Sequence, residues 1–228
     1  MSTYFVCSRQ VLINVFIAYY DDAWQNHEMV ETRRTGALAQ LATIFTGVNP
    51  ARVATSEAAP RFPMVSTKDV GVELTARSDL DEIALENASS AQRYGLAAGD
   101  VVVTARGVAV RAAVAEAQHD GVVLGGNLIA LRPNPTLNSY LLAAWLQHPR
   151  TQRRLLEART GVGTPGFTVA QLARLTLAVP TPDDQHDLAQ LASLASRQQQ
   201  AVLRAAELRR RFVDDLVFDA LDPSGGAR

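Results

Sequence analysis

Apolar residues occur in short runs bounded by Gly, Pro and Asp up to about residue 135, and at helical spacing after it. Residues 99–107 and 127–131 are rich in Val, Ile and Leu, which predicts two buried strands. Residues 62–71 predict another strand that ends in a polar turn. Residues 35–45 predict a short amphipathic helix, and residues 76–93 predict a loop with one helical turn.

The later part of the chain reads mainly as helices. Residues 136–149 predict one helix and Pro149 opens another. Residues 168–175 then predict a short capped helix, which a strand at 176–180 follows. Residues 183–221 contain no Gly or Pro. They predict a continuous helix of about 58 Å at 1.5 Å per residue, and Asp183 or Asp184 suits its N-cap.

This long predicted helix carries an apolar stripe. The residues at heptad a and d spacing, together with two that join as the stripe drifts, are Leu188, Leu191, Ala195, Gln198, Val202, Ala205, Leu208, Phe212 and Leu216. The stripe is too long for one small domain to bury, so we expect a partner helix. The alternative is a helix that folds back along its own domain.

Composition indicates one folded domain with an added element. The chain has 228 residues, of which 47% are hydrophobic and 20% charged, with a net charge of −1, so no global basic field indicates a nucleic-acid partner. The charge is uneven, however. Residues 91–178 contain nine Arg and no Lys against four acidic residues, so acidic ends conceal a basic middle.

The residues that could bind a metal are few and scattered. Cys7 is the only cysteine and the four histidines are far apart, so we expect no disulfide, no metal site and a cytoplasmic location. The strongest apolar run, residues 11–20, is too short to cross a bilayer and predicts a buried strand or short helix. The stretch that begins at Met29 reads like the start of a domain, and we hypothesise that the functional reading frame begins there.

Residues 161–166 spell G-x-G-x-x-G, the pattern of a dinucleotide-binding turn. Such a turn follows a strand and opens a long helix. Here a charged helical segment precedes it, and Pro165 removes an amide donor. We therefore expect a loop that lets backbone approach an anionic surface. The residues that would hold that surface are Arg150, Arg153, Arg154, Arg159 and Thr164; alternatively, the arginines are a solvated helix face.

No catalytic arrangement stands out. G-x-S-x-G and Walker motifs are absent from the sequence, and the carboxylate pairs at 21–22, 183–184 and 214–215 look like caps or solvated positions. We therefore expect a protein that is not an enzyme.

Four stretches, in order, resemble the target-recognition domain of type I restriction–modification specificity subunits. They are "LAQLATIFTGVNP" (38–50), "GDVVVTARG" (99–107), "GNLIALRPN" (126–134) and the run from the glycine loop through "PTPDDQ" into the long helix. The resemblance covers about residues 33–221. It implies an α+β fold: a mixed-sheet recognition domain at 31–182 and a long coiled-coil helix at 183–221. Residues 1–30 would be an extension of unknown role, and 222–228 a flexible tail.

The resemblance also implies a function. The chain would be a non-catalytic reader of double-stranded DNA that directs an adenine methyltransferase, and in some systems a restriction nuclease, to a two-part site. It would bind no cofactor, since S-adenosylmethionine belongs to the methyltransferase. One recognition domain instead of two suggests a half-subunit that forms a homodimer through the long helix.

Loops rich in Arg and amides are the expected DNA contacts, because these side chains suit phosphates and base edges. The candidates outside the glycine-loop region are Lys68, Arg106, Arg111, Gln118 and His119, while Arg132 at a strand end would be structural. Two other interpretations stay open: a recognition module of another DNA-modification or phage-defence system, and a helical adaptor that binds no DNA. An enzyme that uses the glycine loop for a nucleotide is a third.

Overall fold

The computed structural model describes residues 34–48, 54, 58–106, 110–157 and 166–221, and within them the chain forms nine strands and six α-helices. The strands are β1 (Arg34–Ala37), β2 (Ala42–Thr46), β3 (Arg61–Val65), β4 (Glu82–Ala84), β5 (Val101–Thr104), β6 (Ala112–Val114), β7 (Val123–Leu124), β8 (Leu128–Pro133) and β9 (Thr176–Val179). The helices are α1 (Leu38–Leu41), α2 (Ala88–Arg93), α3 (Ser139–Gln147), α4 (Pro149–Glu157), α5 (Val169–Ala173) and α6 (Pro182–Leu221).

A four-stranded antiparallel sheet in the order β2-β8-β5-β6 forms the centre. Successive side chains of a strand point to opposite faces. On β5, Val101 and Val103 therefore pack against the helices, while Val102 packs on the other face with Val65 and Leu124. All three valines are fully buried. Because both faces are covered, the strand reads as a continuous apolar run rather than an alternating one.

Two smaller sheets flank this centre. One has the order β4-β3-β7, with β3 and β7 parallel. The other pairs β1 with β9, and the Leu38 amide beside it donates to the Leu175 carbonyl. These contacts place the start of the described region beside the base of α6.

Three sequence predictions need correction. Residues 35–45 are helical only over α1, because β1 pairs with β9 and β2 pairs with β8 on either side of it. Residues 76–93 contain a strand, β4, that was not predicted. The cap of α6 is Thr181, whose Oγ1 accepts from the Asp184 amide at 3.3 Å, while Pro182 takes the first helical position. The strands at β3, β5, β8 and β9, and the helices α3 to α6, are confirmed.

Helix α6 has a packed first part and an exposed second part. Gln185 anchors its first turn: the side chain accepts from the Asn138 amide and donates to the carbonyls of Thr136 and Pro180. From residue 201 to 221 every side chain is exposed. The helix therefore does not fold back along its own domain over this half. The α+β fold with a long C-terminal helix is confirmed, whereas the apolar run at 11–20 and Met29 lie outside the described residues.

Candidate nucleic-acid interface

Several loops meet at one end of the central sheet, where β5 turns into β6. Strand β2 ends there and β8 begins there, since Thr46 pairs with Ile129 and Thr104 with Leu128. We call this region the hairpin end. It comprises residues 47–48, 65–69, 104–106, 110–112, 125–128 and 166–167.

Hydrogen bonds join these loops into one surface. The Ala105 amide donates to the Asn127 carbonyl at 3.1 Å, and the Phe167 amide donates to the Ala105 carbonyl at 3.0 Å. The Gly125 amide donates to the Val65 carbonyl at 2.9 Å. The loops that carry the candidate residues thus share their backbone support.

Arg106 and Arg111 are exposed on the two arms of the connection from β5 to β6. Thr104 closes the base of this hairpin, because its Oγ1 accepts from the Arg111 amide at 2.9 Å. The Arg111 guanidinium donates to the Thr67 carbonyl at 2.8 Å, so its head group is fixed beside the turn that carries Lys68. The structure therefore places Arg106 and Arg111 on one hairpin, with the Arg111 head group beside the Lys68 turn; that these side chains contact DNA stays a prediction.

Lys68 already has an acidic partner. Its Nζ lies 2.6 Å from Asp81 Oδ2, with both side chains more than half exposed. The hydrogen bond to Asp81, and then the charge of Asp81, raise the pKa of Lys68. The buried Asp69 supports this turn by accepting from the amide and hydroxyl of Ser66. A phosphate would have to displace Asp81, which the exposure of the pair makes easy.

The last glycine of the G-x-G-x-x-G motif lies against this hairpin. Gly166 forms a bridge with Arg106, and a Cβ at Gly166 would lie 2.9 Å from the Ala105 carbonyl oxygen and 3.1 Å from Arg106 Cγ. Helix α4 precedes the motif, so the helical context that excluded a dinucleotide turn is confirmed. Residues 161–165 with Thr164, and also Arg159, lie outside the described residues.

Helix α4 is attached to the hairpin through one side chain that the sequence did not single out. Gln152 Oε1 accepts from the Val110 amide at 3.1 Å, and its Nε2 donates to the carbonyls of Val110 at 2.6 Å and Leu146 at 3.1 Å. We call these three bonds the Gln152 clamp. Its backbone partner is 42 residues away in sequence, so no local pattern could have indicated it.

The arginines of α4 point away from the core. Thr151 and Leu155 are buried, whereas Arg150, Arg153 and Arg154 are exposed. Among the described residues, none forms an ion pair with these arginines or with Arg106. Exposed guanidinium groups suit phosphate, because they can form charge-assisted hydrogen bonds with its oxygens.

The structure contradicts His119 as a base-reading residue. The ring is 1% exposed; its Nδ1 accepts from the Glu116 amide, so Nε2 carries the proton and donates to the Thr75 carbonyl. The imidazole satisfies the backbone of a turn, and the polar letters around it gave no sign of this burial.

Gln118 is exposed but belongs to the other end of the sheet. Its Nε2 donates to Glu116 and its Oε1 accepts from the Arg77 amide. Strand β6 separates this turn from Arg111, because Ala115 bonds to the backbone of residues 99 and 100, where β5 begins. The structure does not bring Gln118 together with the hairpin end.

Arg132 is structural, as expected. It forms two hydrogen bonds with the buried carboxylate of Asp100, at 2.8 and 2.7 Å, and its guanidinium lies 5.4 Å from the Phe45 ring centroid. The hydrogen bond with Asp100 raises the pKa of Arg132. This pair holds the opposite end of the sheet together and is not offered to a ligand.

The side chains predicted to bind a partner along α6 are all exposed in the single chain. Their relative exposure runs from 38% at Leu188 to 65% at Leu208, and the set comprises Leu188, Leu191, Val202, Leu208, Phe212 and Leu216. An apolar row of this length is unusual on a solvated surface, and its binding of a partner stays a prediction. None of the described helices could cross a bilayer.

Solved structures share this fold, whereas no protein-family model and no curated protein matches the sequence. Three structures with this fold come from type I restriction–modification systems, and two of them are S subunits. One similar structure is a chain from work on complex assembly and conformational transition of a type I system. It is 17% identical at a TM-score of 0.56, over 92% of this chain and 54% of that one.

Two further structures are single subunits. The HsdS subunit from Thermoanaerobacter tengcongensis is 19% identical at a TM-score of 0.52, over 79% of this chain and 42% of its own. The type I restriction–modification S subunit from M. genitalium is 13% identical at a TM-score of 0.51, over 86% and 48% respectively. The chain thus spans about half the length of the structures it matches.

Proposed function

We propose that the chain is a sequence-specific reader of double-stranded DNA that directs a partner adenine methyltransferase, and in some complexes a nuclease, to a two-part site. The observation that carries the proposal is the hairpin end. There the Arg111 head group is bonded to the turn that carries Lys68, Arg106 forms a bridge with the last glycine of the loop, and the Gln152 clamp attaches helix α4 to the same hairpin. The shared fold with type I specificity subunits supports the same role.

The chemistry of the hairpin end suits a duplex. Arginine presents a planar fork that matches the N7 and O6 atoms of guanine in the major groove, and it also binds phosphate. We assign base reading to the hairpin residues Arg106 and Arg111, whose positions the sheet fixes. The arginines of α4, with Arg159 and Thr164 beyond it, would bind the phosphate backbone.

No step of catalysis is assigned to this chain. The methyltransferase would bind S-adenosylmethionine and transfer the methyl group, while this chain would select the DNA site. Helix α6 would bind the methyltransferase and a second copy of the chain. Two copies related by a two-fold axis would read two inverted half-sites.

Salt-titrated binding to a labelled random-sequence duplex tests the DNA role. Electrostatic binding to phosphates weakens linearly in log–log plots as salt rises. We expect such weakening for the wild type, and a smaller slope for the Arg153→Ala/Arg154→Ala variant. Arg204→Ala, on the exposed half of α6, is the matched control and should bind as the wild type does. A duplex affinity that changes neither with salt nor with the α4 substitutions would contradict the proposal.

The exposed apolar row of α6 favours one other function, that of an adaptor which docks a helical partner and binds no DNA. The same titration separates the two. An adaptor would show no duplex binding at low salt, yet its partner binding would be lost when α6 is altered.

A further inference from the structure

A small groove at the hairpin end has an apolar floor. The floor consists of side chains from four segments that the sheets bring together, namely Val48 after β2, Met64 of β3, Ile83 of β4 and Leu128 of β8. We call it the Met64 groove, and its volume is about 230 Å³. Met64 is half-buried, whereas the other three side chains are almost fully covered. The groove therefore offers a narrow apolar contact and not a wide hydrophobic patch.

Close backbone contacts fix the shape of the Met64 groove. The Val48 amide donates to the Leu124 carbonyl at 2.8 Å. A Cβ at Gly125 would lie 2.6 Å from the Val65 carbonyl oxygen and 3.7 Å from Met64 Sδ, so only glycine lets the turn from β7 to β8 approach β3 this closely. The groove thus exists before any ligand binds, and little conformational entropy is lost on binding.

The turn from β7 to β8 presents a polar side chain at the rim of this groove. The Leu128 amide donates to the Gly125 carbonyl at 3.0 Å, which closes a β-turn. The two central residues of the turn are Gly126 and Asn127, and both line the groove. The Asn127 carbonyl accepts from the Ala105 amide at 3.1 Å. Backbone bonds therefore hold Asn127 beside the apolar floor and against the hairpin from β5 to β6.

The side-chain amide of Asn127 is available to a ligand. It is exposed, and among the described residues none forms a hydrogen bond with it. The three other asparagines in the described ranges, Asn87, Asn134 and Asn138, each accept from a backbone amide two or three residues further on. The fold uses those three amides to build caps and turns, whereas the Asn127 amide keeps its donors and its acceptor for another molecule.

The charges around the Met64 groove favour a nucleic acid over a purely apolar protein segment. Thr67 lines the groove, and its carbonyl accepts from the Arg111 guanidinium at 2.8 Å. A fixed positive charge thus lies at the rim. A duplex matches both features of the site, since its phosphates are anionic and thymine carries a methyl group on its major-groove edge.

We propose that Asn127 and the Met64 groove together read one A·T base pair in the major groove. This subsite rests on the DNA-reading function proposed above. The amide oxygen of Asn127 would accept from N6 of adenine while its Nδ2 donates to N7, which is the two-bond match between these groups. The C5 methyl group of the thymine in the same pair would enter the groove and contact Met64.

The combination of an amide and an apolar floor excludes the other base pairs. Guanine presents two acceptors, N7 and O6, so its O6 would face the amide oxygen of Asn127. A reversed T·A pair would bring the amino group of adenine to the apolar floor, where it would lose its hydrogen bonds to water. The subsite complements Arg106 and Arg111, because arginine suits guanine and Asn127 suits adenine.

Selection from random duplexes tests the subsite. The full-length chain is incubated with duplexes that have a randomised central segment, and the bound fraction is sequenced. We expect the wild type to enrich a motif, and Asn127→Ala to enrich the same motif with the preference for A at one position reduced about tenfold, because a two-bond contact is lost. Its Tm should equal that of the wild type, since the side chain bonds to no described residue.

Two matched variants give readouts that a structural role would not change. Asn127→Asp keeps the size of the side chain but offers only acceptors, so the preference at this position should change from A to C, whose N4 is a donor. Arg106→Ala should keep the preference for A and weaken a different position of the motif.

A chemical substitution in the DNA tests the groove. In a duplex that carries the enriched motif, deoxyuridine replaces only the thymine of the A·T pair, which removes the methyl group and no hydrogen bond. We expect the affinity of the wild type to fall about fourfold, as the loss of one buried methyl group predicts.

Each contrary result has a distinct meaning. A wild type that binds no duplex, or binds all sequences alike, would overturn the DNA-reading function and the subsite with it. A wild-type motif that both Asn127 variants leave unchanged would overturn the subsite alone, since DNA reading would still stand. An affinity that deoxyuridine leaves unchanged would overturn the Met64 groove as a methyl site and favour a side chain of a protein partner as its occupant.

Discussion

The Gln152 clamp makes the arginine helix and the hairpin one unit, and Gln152→Met tests this. Methionine keeps the length and most of the volume of the side chain but makes none of the three hydrogen bonds. Val110 is 4% exposed, so its amide and carbonyl would lose the Gln152 side chain as their hydrogen-bond partner in an environment that water hardly reaches. Each buried, unsatisfied group costs about 1–3 kcal/mol, and partial access of water at the half-buried Gln152 favours the lower end.

We therefore expect Gln152→Met to lower the free energy of unfolding by about 2 kcal/mol, which corresponds to about 4–8 °C in Tm for a chain of this size. Urea unfolding followed by circular dichroism measures it, and an unchanged m-value would show that the loss lies in the native state. Gln92→Met, at an exposed position of α2, is the matched control and should change stability little.

The same variant should weaken duplex binding under conditions in which it remains folded, since the hairpin that carries Arg106 and Arg111 would no longer be attached to α4 through Val110. A free energy of unfolding within about 0.5 kcal/mol of the wild type would refute the clamp. A destabilised variant with unchanged DNA affinity would show that the clamp supports the fold but does not position the reading surface.

Three further predictions follow from single contacts. Asp100→Asn should lower the free energy of unfolding by about 1–2 kcal/mol in urea titration, because it removes the buried carboxylate that accepts from Arg132, while water still reaches the half-exposed guanidinium; an unchanged midpoint would contradict this. Gly166→Ala should lower Tm, since its Cβ would lie 2.9 Å from the Ala105 carbonyl oxygen, and overpacking costs about 1–3 kcal/mol; a Tm equal to the wild type would show that the bridge can shift freely. Lys68→Met should leave Tm unchanged, because its pair with Asp81 is solvent-exposed, but it should reduce the salt slope of duplex binding by about one. An unchanged slope would exclude Lys68 from phosphate contact.

The raised pKa of Lys68 gives the last prediction a pH dependence. The small stabilisation from its pairing with Asp81 is fully present below the ordinary lysine pKa and is lost as the pH rises through the raised pKa. Salt titrations at neutral pH therefore measure the charged, paired form.

Local composition was enough to predict those elements in which the local sequence preference and the tertiary environment favour the same structure. The valines of β5 predict a buried strand wherever the sheet lies, and Thr168 with Gln171 forms the capping box that opens α5. The stripe of α6 predicted a helix that needs a partner, and the exposure of residues 201–221 agrees with it.

Contacts distant in sequence were not predictable in this way. Residues 35–45 have helical spacing, yet pairing with β8 and β9 converts both ends to strand, so tertiary contacts override the local preference. The Gln152 clamp and the bridge from Gly166 to Arg106 likewise join segments far apart in the chain. His119 looked like a surface polar residue because burial of a turn leaves no local signature.

The most direct test of the DNA-reading role is to express this chain with a type I adenine methyltransferase subunit that co-purifies with it, and to map methylated adenines in the host DNA by single-molecule sequencing. We expect methylation within a two-part motif of inverted half-sites with one fixed gap, present with the intact chain and lost with Arg106→Ala/Arg111→Ala. Methylation at the same positions in cells that lack the chain would contradict it.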